Sequence, residues 1–431
     1  MKTKSITLLF DPRIDIAWKL CGDSHIYYVL SKFFDFINHP IKWQGEVYEI
    51  KLERVHPKPL LCGQPIQETT DFIVDRTSMW NNYYDCFMQS ALNSLIGTTN
   101  CNYTMRHFNK HHTSDVLARA MHPADHFPIT VLLPEFNPLT PEQSNDLLLE
   151  VMEKYFNNHY PVLLKRAYES GGGADVYKVN NFEELYAKYT RSGWPVFHIQ
   201  EFVEDFENHI RCMAIGPQIL PMNFRMNVSY LEGYNPELIT IDNNNRALYE
   251  RLGNYVKFIN SYHRWTYASF EAFLKKGKIY PIDFANPHCD SRFYTLHVHF
   301  PWLICALVRW STFCAVTNKS MGVDMEQQSI MEVLNNSNRS AIEKYEFCKH
   351  RSEAYFEAEK FNEFCAENWS NLDEQMINFY DEHWSKVIDY AIIEMSYFPK
   401  QKHEYYTQEY QKLMNHYFRP NAKEYLNYNI Y

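Results

Sequence analysis

Residues 160 to 179 read YPVLLKRAYESGGGADVYKV: an apolar strand that delivers Lys165, three successive glycines, then a second strand. Gly171, Gly172 and Gly173 can take positive φ and bring backbone N–H groups close to an anion, with Lys165 as a fixed positive charge beside them. That is phosphate-binding chemistry, although a three-glycine turn by itself is more often an ordinary hairpin. Downstream, WPVFHIQEFVEDFENHIRCMAIG (194 to 216) runs strand, acidic linker, strand, with Gln200 and Glu201 where the first strand ends and Arg211 inside the next. The segment FEAFLKKGKIYPIDFANP (270 to 287) reads as a hairpin turning at Lys276-Gly277, so Glu271 and Asp283 fall on paired strands with Asn286 just beyond. Two carboxylates and an amide oxygen form a hard-oxygen set suited to Mg²⁺. Across an isolated hairpin the same pair would more often be surface decoration.

These residues need sheets to hold them, and the surrounding patterns predict several. Strands are expected at Ile129–Leu133, Pro161–Lys165, Val196–Phe202, Ile210–Ile215, Ile219–Phe224, Tyr267–Phe273 and Lys278–Phe284. A helix over Thr140–Phe156 opens on Thr140-Pro141, a capping residue followed by a proline that has no N–H to waste in the first turn. Upstream, Asp71–Asp75 reads as a strand followed by a helix through Leu95, an α/β layout. After Thr295 the chain reads as helical. Phe361, Phe364, Cys365, Trp369, Leu372, Met376 and Phe379 step by three or four residues and make one apolar stripe. The expected organisation is an α/β unit over 1–125, a nucleotide-binding α+β unit over 126–300 and a helical region over 301–431.

With 431 residues, 45% of them hydrophobic and 16% aromatic, the chain can bury two or three cores. The net charge of −10 argues against a nucleic-acid binder, which needs a clustered positive face. Ten scattered cysteines without a Cys-x-x-Cys pair read as reduced thiols. Met1–Phe10 runs into Asp11, Arg13 and Asp15 without a signal-peptide core, which predicts a cytoplasmic enzyme. Phe300–Val316 carries Arg309 inside and is shorter than the roughly 20 residues of a spanning helix, so it reads as a buried helix and no membrane partner is expected.

Taken in order, a lysine-bearing strand, a glycine-rich loop, a Gln-Glu-aromatic hinge, an arginine on the next strand, then acid, acid and asparagine on a terminal hairpin, the sequence resembles the ATP-grasp superfamily. The resemblance covers roughly residues 70 to 300. More narrowly the chain resembles RimK- or glutathione-synthetase-like ATP-grasp proteins of similar length, with the IDFANP signature at Ile282–Pro287 and an HFPW helix at His299–Trp302. It implies an α/β (α+β) ATP-grasp fold with an N-terminal pre-ATP-grasp domain and a C-terminal helical extension.

The resemblance also assigns roles. Lys165 would contact the α- and β-phosphates of ATP, Lys110 would be the earlier nucleotide lysine, and Ser170, Gly171, Gly172 and Gly173 would close over the triphosphate. Gln200, Glu201 and Val203 would form the adenine hinge, Arg211 would steady the transferred phosphoryl, and Glu271, Asp283 and Asn286 would hold Mg²⁺. Two departures stand out: Asn109-Lys110 where many relatives have Asp-Lys, and Asp283-Phe-Ala-Asn286 where many have Glu-x-Asn. On a regular strand the longer spacing sends the two side chains to opposite faces, so convergence requires a bulge near Phe284.

The implied activity is an ADP-forming ligase that joins a small-molecule or peptide carboxylate to an amine or thiol through an acyl phosphate. A phosphotransferase and a non-catalytic ATP-binding regulator are the alternatives on the same scaffold. Asp290, Ser291 and Arg292 could face the acceptor or form a polar turn. Arg76, after Asp75 at a strand end, could hold a substrate carboxylate or make a surface ion pair, and Arg225 is comparable. His297 and His299 would share a face on a strand, but without further nitrogen or sulfur ligands they do not make a zinc site.

Overall fold

The computed structural model describes residues 1–10, 24–54, 58–66, 70–105, 108–136, 139–167, 176–193, 195–226, 228–319, 324–394 and 399–430. Strands β1 (Lys2–Leu9), β2 (Ile41–Trp43), β3 (Glu46–Arg54), β4 (Phe72–Asp75) and β5 (Gly97–Thr98) form a sheet in the order β2-β3-β1-β4-β5. The β1, β3, β4 and β5 pairings are parallel. Parallel strands covered on both faces read as continuous apolar runs, and every residue of β4 is buried. The helix after β4, Asn82–Asn93, starts because the Asn81 side chain accepts from the N–H groups of Tyr83 and Tyr84.

Two four-stranded antiparallel sheets follow. The first holds β6 (Thr130–Leu132), β7 (Val162–Arg166), β8 (Val176–Val179) and β9 (Phe197–Glu201) in the order β6-β9-β7-β8. The second holds β10 (Asn208–Ile215), β11 (Gln218–Asn223), β12 (Tyr267–Lys275) and β13 (Lys278–Asn286) in the order β11-β10-β12-β13. Seven of these eight strands lie within two residues of the expected bounds, and β8 is the strand expected, without bounds, after the glycines. The helix Pro141–Phe156 has the expected start, with Thr140 and Gln143 closing a reciprocal capping box. At Lys276-Gly277 both residues have positive φ, 50° and 70°, as a two-residue hairpin turn matched to strand twist requires.

Alternation decides which side chains are left for chemistry. In the first sheet Val162, Leu164, Phe197 and Ile199 enter a core with Leu148, Met152, Leu185 and Tyr189. Lys165, His198 and Gln200 therefore project from the other face. In the second sheet Ile210, Cys212, Ala214, Ala268, Phe270 and Ala272 enter a core with the helix Arg246–His263. Met213, Ile215 and Tyr267 point the opposite way, so Arg211, Ser269 and Glu271 share their side.

The third core is the largest. It joins Ile6, Leu8, Phe72 and Val74 of the N-terminal sheet to the helix Phe300–Thr317 and to Phe361, Phe364, Leu372, Met376, Phe379 and Trp384. The stretch Phe293–Thr317 is long and apolar enough to cross a membrane by length and composition, yet 89% of its apolar window is buried inside the protein. The stripe expected from Phe361 to Phe379 is buried apart from the half-buried Cys365, but it belongs to two helices, Ala358–Asn368 and Leu372–Glu394, which break at Trp369. The nine described cysteines are all free.

One glycine locks the second sheet to this core. Gly216 opens the β10–β11 turn at φ +58°, and a Cβ there would land inside the Trp310 ring. Gly216→Ala is therefore expected to lower stability by about 2 to 4 kcal/mol, from a left-handed non-glycine residue plus overpacking, read as the shift in a denaturant unfolding midpoint.

Candidate functional site

Two lysines, one from the first antiparallel sheet and one from a helix, converge on β13 of the second sheet. Lys165 Nζ, from β7, donates to the Ile282 carbonyl on β13 at 3.0 Å. Lys110 Nζ lies 3.4 Å from Asp283 Oδ1. Lys110 is placed by the start of the helix Lys110–Ala120, whose cap is Asn109: its side-chain oxygen accepts from the N–H groups of His111 and His112. Asparagine caps as well as aspartate, so Asn109 serves the helix start as an aspartate would. Burial pushes the Lys165 amine down to about 8; Lys110 adds to the shift, while Asp283 and Glu271 oppose it.

Pairing within the second sheet assembles the acids. Arg211 stands opposite Glu271, and Glu271 opposite Asp283. Arg211 Nε is 3.4 Å from one Glu271 oxygen and His209 Nε2 is 3.2 Å from the other. Burial works against the Glu271 charge, but Arg211 and His209 outweigh it and hold the carboxyl below its ordinary value. Ser269 Oγ links the set, accepting from Arg211 Nη2 at 3.4 Å and from Asn286 Nδ2 at 3.1 Å.

The spacing between Asp283 and Asn286 is resolved by backbone irregularity. Ser269 pairs with Asn286 and Glu271 with Asp283, so Phe284 and Ala285 stand opposite the single residue Phe270. One extra residue restores the face, and Asp283 and Asn286 project together. The next step, from Glu271↔Asp283 to Ala272↔Pro281, inserts Ile282 in the same way. The carbonyl of this inserted residue is the one that accepts from Lys165.

Of the residues expected to form the hinge, Gln200 and Glu201 end β9 and Val203 follows it. Gln200 is buried and donates to Thr130 Oγ1 at 2.8 Å. The Glu201 carboxylate faces His126 Nε2 at 2.7 Å and accepts from the Ile129 N–H at 3.1 Å. Burial opposes its charge, but those two hydrogen bonds prevail and its pKa is lowered. Val203 is buried beside them. Ser170, Gly171, Gly172 and Gly173 lie outside the described residues.

The other candidates are placed less favourably. Arg76 is buried rather than at the surface, donates to the Cys289 carbonyl at 2.9 Å and lies over the Tyr267 ring. Asp290 takes Arg292 Nε at 2.7 Å and Thr295 Oγ1 at 2.9 Å, while Ser291 is buried against the Tyr267 hydroxyl. Arg225 is exposed at the end of β11. His297 and His299 sit in a buried 3-10 turn rather than on a strand. Burial pushes them down to about 3 and about 4, and the His299 ring contacts the Asn235 carbonyl. Among the described residues no three His, Cys, Asp or Glu gather where they could hold a metal ion.

Sequence reading missed His111, His198, His209 and Ser269. Alternation with Gln200 could have found His198, but the others are brought in by long-range pairing. A separate cleft of about 820 Å³, between Glu237–Ile241, the start of the helix Arg246–His263 and residues 416–430, contains none of the candidate residues.

No family model matches the chain, and no curated protein matches it. Among solved structures it is similar to a D-alanine–D-alanine ligase from Coxiella burnetii, with TM-score 0.47, 12% identity and coverage of 79% of this chain and 100% of that one. A D-alanyl-alanine synthetase A from Vibrio cholerae gives TM-score 0.45 and 14% identity over 74% of this chain and 100% of the other. A RiPP-associated ATP-grasp ligase from Chryseobacterium gregarium, in complex with ADP and a leader and core peptide, gives TM-score 0.41 and 10% identity over 68% and 91%. Values this low assign no activity or substrate to the chain, and the likeness is one of fold.

Proposed function

We propose that the chain is an ATP-grasp protein that binds ATP and Mg²⁺ between its two antiparallel sheets and acts as an ADP-forming ligase. The observation that carries this reading is the convergence of Lys165, from one sheet, and Lys110 on adjacent residues of β13, Ile282 and Asp283. Two cations facing a carboxylate hairpin across a cleft suit a polyphosphate with its counter-cation. Mg²⁺ is ordinarily held by one or two carboxylates and completed by phosphate oxygens and water rather than by an all-protein cage. Asp283, Glu271 and the Asn286 amide oxygen fit that donor class. Bound there, the ion would supply positive charge against the phosphates.

The chain's own residues then do the following. Lys110 and Lys165 exchange Asp283 and the Ile282 carbonyl for phosphate oxygens. Arg211, braced by Glu271 and Ser269, faces the oxygens on which charge accumulates as the γ-phosphoryl passes to a substrate carboxylate. The resulting acyl phosphate is attacked by an amine, or a thiol, and phosphate leaves. Glycines 171 to 173 would exclude water during the life of that intermediate. The donor and acceptor are a small molecule or a peptide, and the site is proposed to work in the cytoplasm with its thiols reduced.

ADP release measured with Mg²⁺ against a panel of amino acids and short peptides tests the reading. A ligase releases ADP only when carboxylate and amine are both present, and yields an amide. A stable phosphorylated product formed without an amine would instead identify a phosphotransferase. ATP held tightly without ADP release in any mixture would identify a regulator.

The Lys165 shift adds a pH dependence with a definite sign. The amine is charged below about 8 and loses its proton as pH rises through that value, well before an ordinary lysine does. An anionic ligand favours the charged form, so binding takes up a proton in this range. ATP affinity is expected to fall above pH 8, by up to about tenfold per pH unit. Titration calorimetry in buffers of different ionisation enthalpy would read both the affinity and the proton uptake; a flat affinity between pH 7 and 9 would refute it.

A further inference from the structure

One buried ring nitrogen beside Lys165, His198 Nδ1, is without a hydrogen bond among the described residues. His198 is 1% exposed. Its other nitrogen, Nε2, lies 3.1 Å from His111 Nδ1. On β9 it stands directly across from Lys165 of β7, and it shares the cleft face with Gln200 two residues on. A buried polar atom left unmet costs on the order of 1 to 3 kcal/mol, so one in a ligand cleft is a reason to look for the ligand that meets it.

The chemistry of the pair says what that ligand atom must be. Burial, reinforced by Lys165, keeps His198 neutral by pushing it down to about 3. Burial lowers His111 as well. Two neutral rings in contact share one proton between the facing nitrogens, and its position sets the character of His198 Nδ1. If His198 Nε2 held it, Nδ1 would present a lone pair beside two lysines that recruit anions, and would repel the atom they attract. If His111 Nδ1 holds it and donates, His198 Nδ1 carries N–H and becomes a third donor on the lysine side of the cleft.

We infer that His198 is a nucleotide-contact residue whose Nδ1–H donates to an acceptor atom of the bound nucleotide, an α-phosphate oxygen or the purine N7, with His111 as the positioning residue that fixes its tautomer. The inference rests on the ATP reading of the same cleft and adds to it a donor that the lysine and hinge residues do not provide. His111 follows Lys110 in the chain and His198 faces Lys165, so this one contact also ties the two lysines into a single unit.

Binding of ATP with Mg²⁺ to the full chain, measured by calorimetry on His198→Ala, His198→Asn and His198→Gln, tests it. An asparagine amide reaches the position of Nδ1, whereas a glutamine amide reaches that of Nε2. His198→Ala is expected to weaken ATP by roughly ten- to a hundredfold, the loss of one hydrogen bond to a charged or strong acceptor. Asparagine should restore most of that affinity and glutamine should not. In turnover the loss should fall on KM with kcat little changed, because the contact is made equally in ground and transition states. With 7-deaza-ATP, weak binding to the wild type and no further loss in His198→Ala assign the contact to N7. Normal binding to the wild type with the loss retained in the variant assigns it to phosphate. A folded His198→Ala that binds ATP as the wild type does, or rescue by glutamine and not by asparagine, overturns the inference. A wild type that binds no ATP would instead overturn the nucleotide reading itself.

Discussion

Lys165→Ala is expected to reduce ATP-dependent ADP release by about a thousandfold, the scale of losing a fixed charge aimed at developing phosphoryl charge in a water-poor site. Lys165 extends from the first sheet to the second and rests on the carbonyl of an inserted residue of β13. The contact with Ile282 holds the amine at the position proposed for the triphosphate. Alanine removes the charge and the link between sheets together, so Lys165→Met, which keeps the stem, serves as the companion variant. Both should lose turnover and ATP affinity, while only alanine should add a loss of packing. Retention of ADP release within about threefold in the methionine variant would end the assignment, since a contact worth that little lies below a single hydrogen bond to a charged group.

Asp283→Asn carries the second large effect. The substitution keeps the shape of the side chain, removes its charge, and leaves an amide that is a poorer ligand for a hard cation. Turnover is expected to fall by about a hundred- to a thousandfold, and the Mg²⁺ concentration giving half-maximal ADP release should rise. The Asp283 side chain is 42% exposed and its only described ion-pair partner is Lys110. An exposed pair contributes at most about 1 kcal/mol, so the melting temperature should move little. Loss of activity with an unchanged melting temperature and a shifted Mg²⁺ titration would separate a ligand from a structural acid. An unshifted titration would remove Asp283 from the metal set.

Much of the framework is legible without coordinates, because short strands bounded by turn residues write their period into the sequence. Alternation along FHIQE assigns Phe197 and Ile199 to a core and frees His198 and Gln200. The Lys276-Gly277 turn announces the hairpin that pairs Glu271 with Asp283. Thr140 and Pro141 announce a helix start. Such signals work because they are local: each depends on residues within a turn or a pleat of one another.

What the chain by itself determined is the inventory: a cationic strand, an acidic hairpin, an arginine strand and the helical stripes. Only the tertiary structure decided how they meet. The face of Asn286 depended on a bulge, which is a property of two strands in register and cannot be read from one. His111 reaches His198, and His209 reaches Glu271, across separations that no periodicity spans. The N-terminal sheet and the C-terminal helices share one core, although nothing in either pattern names the other as its partner. Hydrophobic burial rewards any apolar face that covers another, so it specifies that such a stripe will be buried, while the choice of what buries it belongs to the packing of the whole.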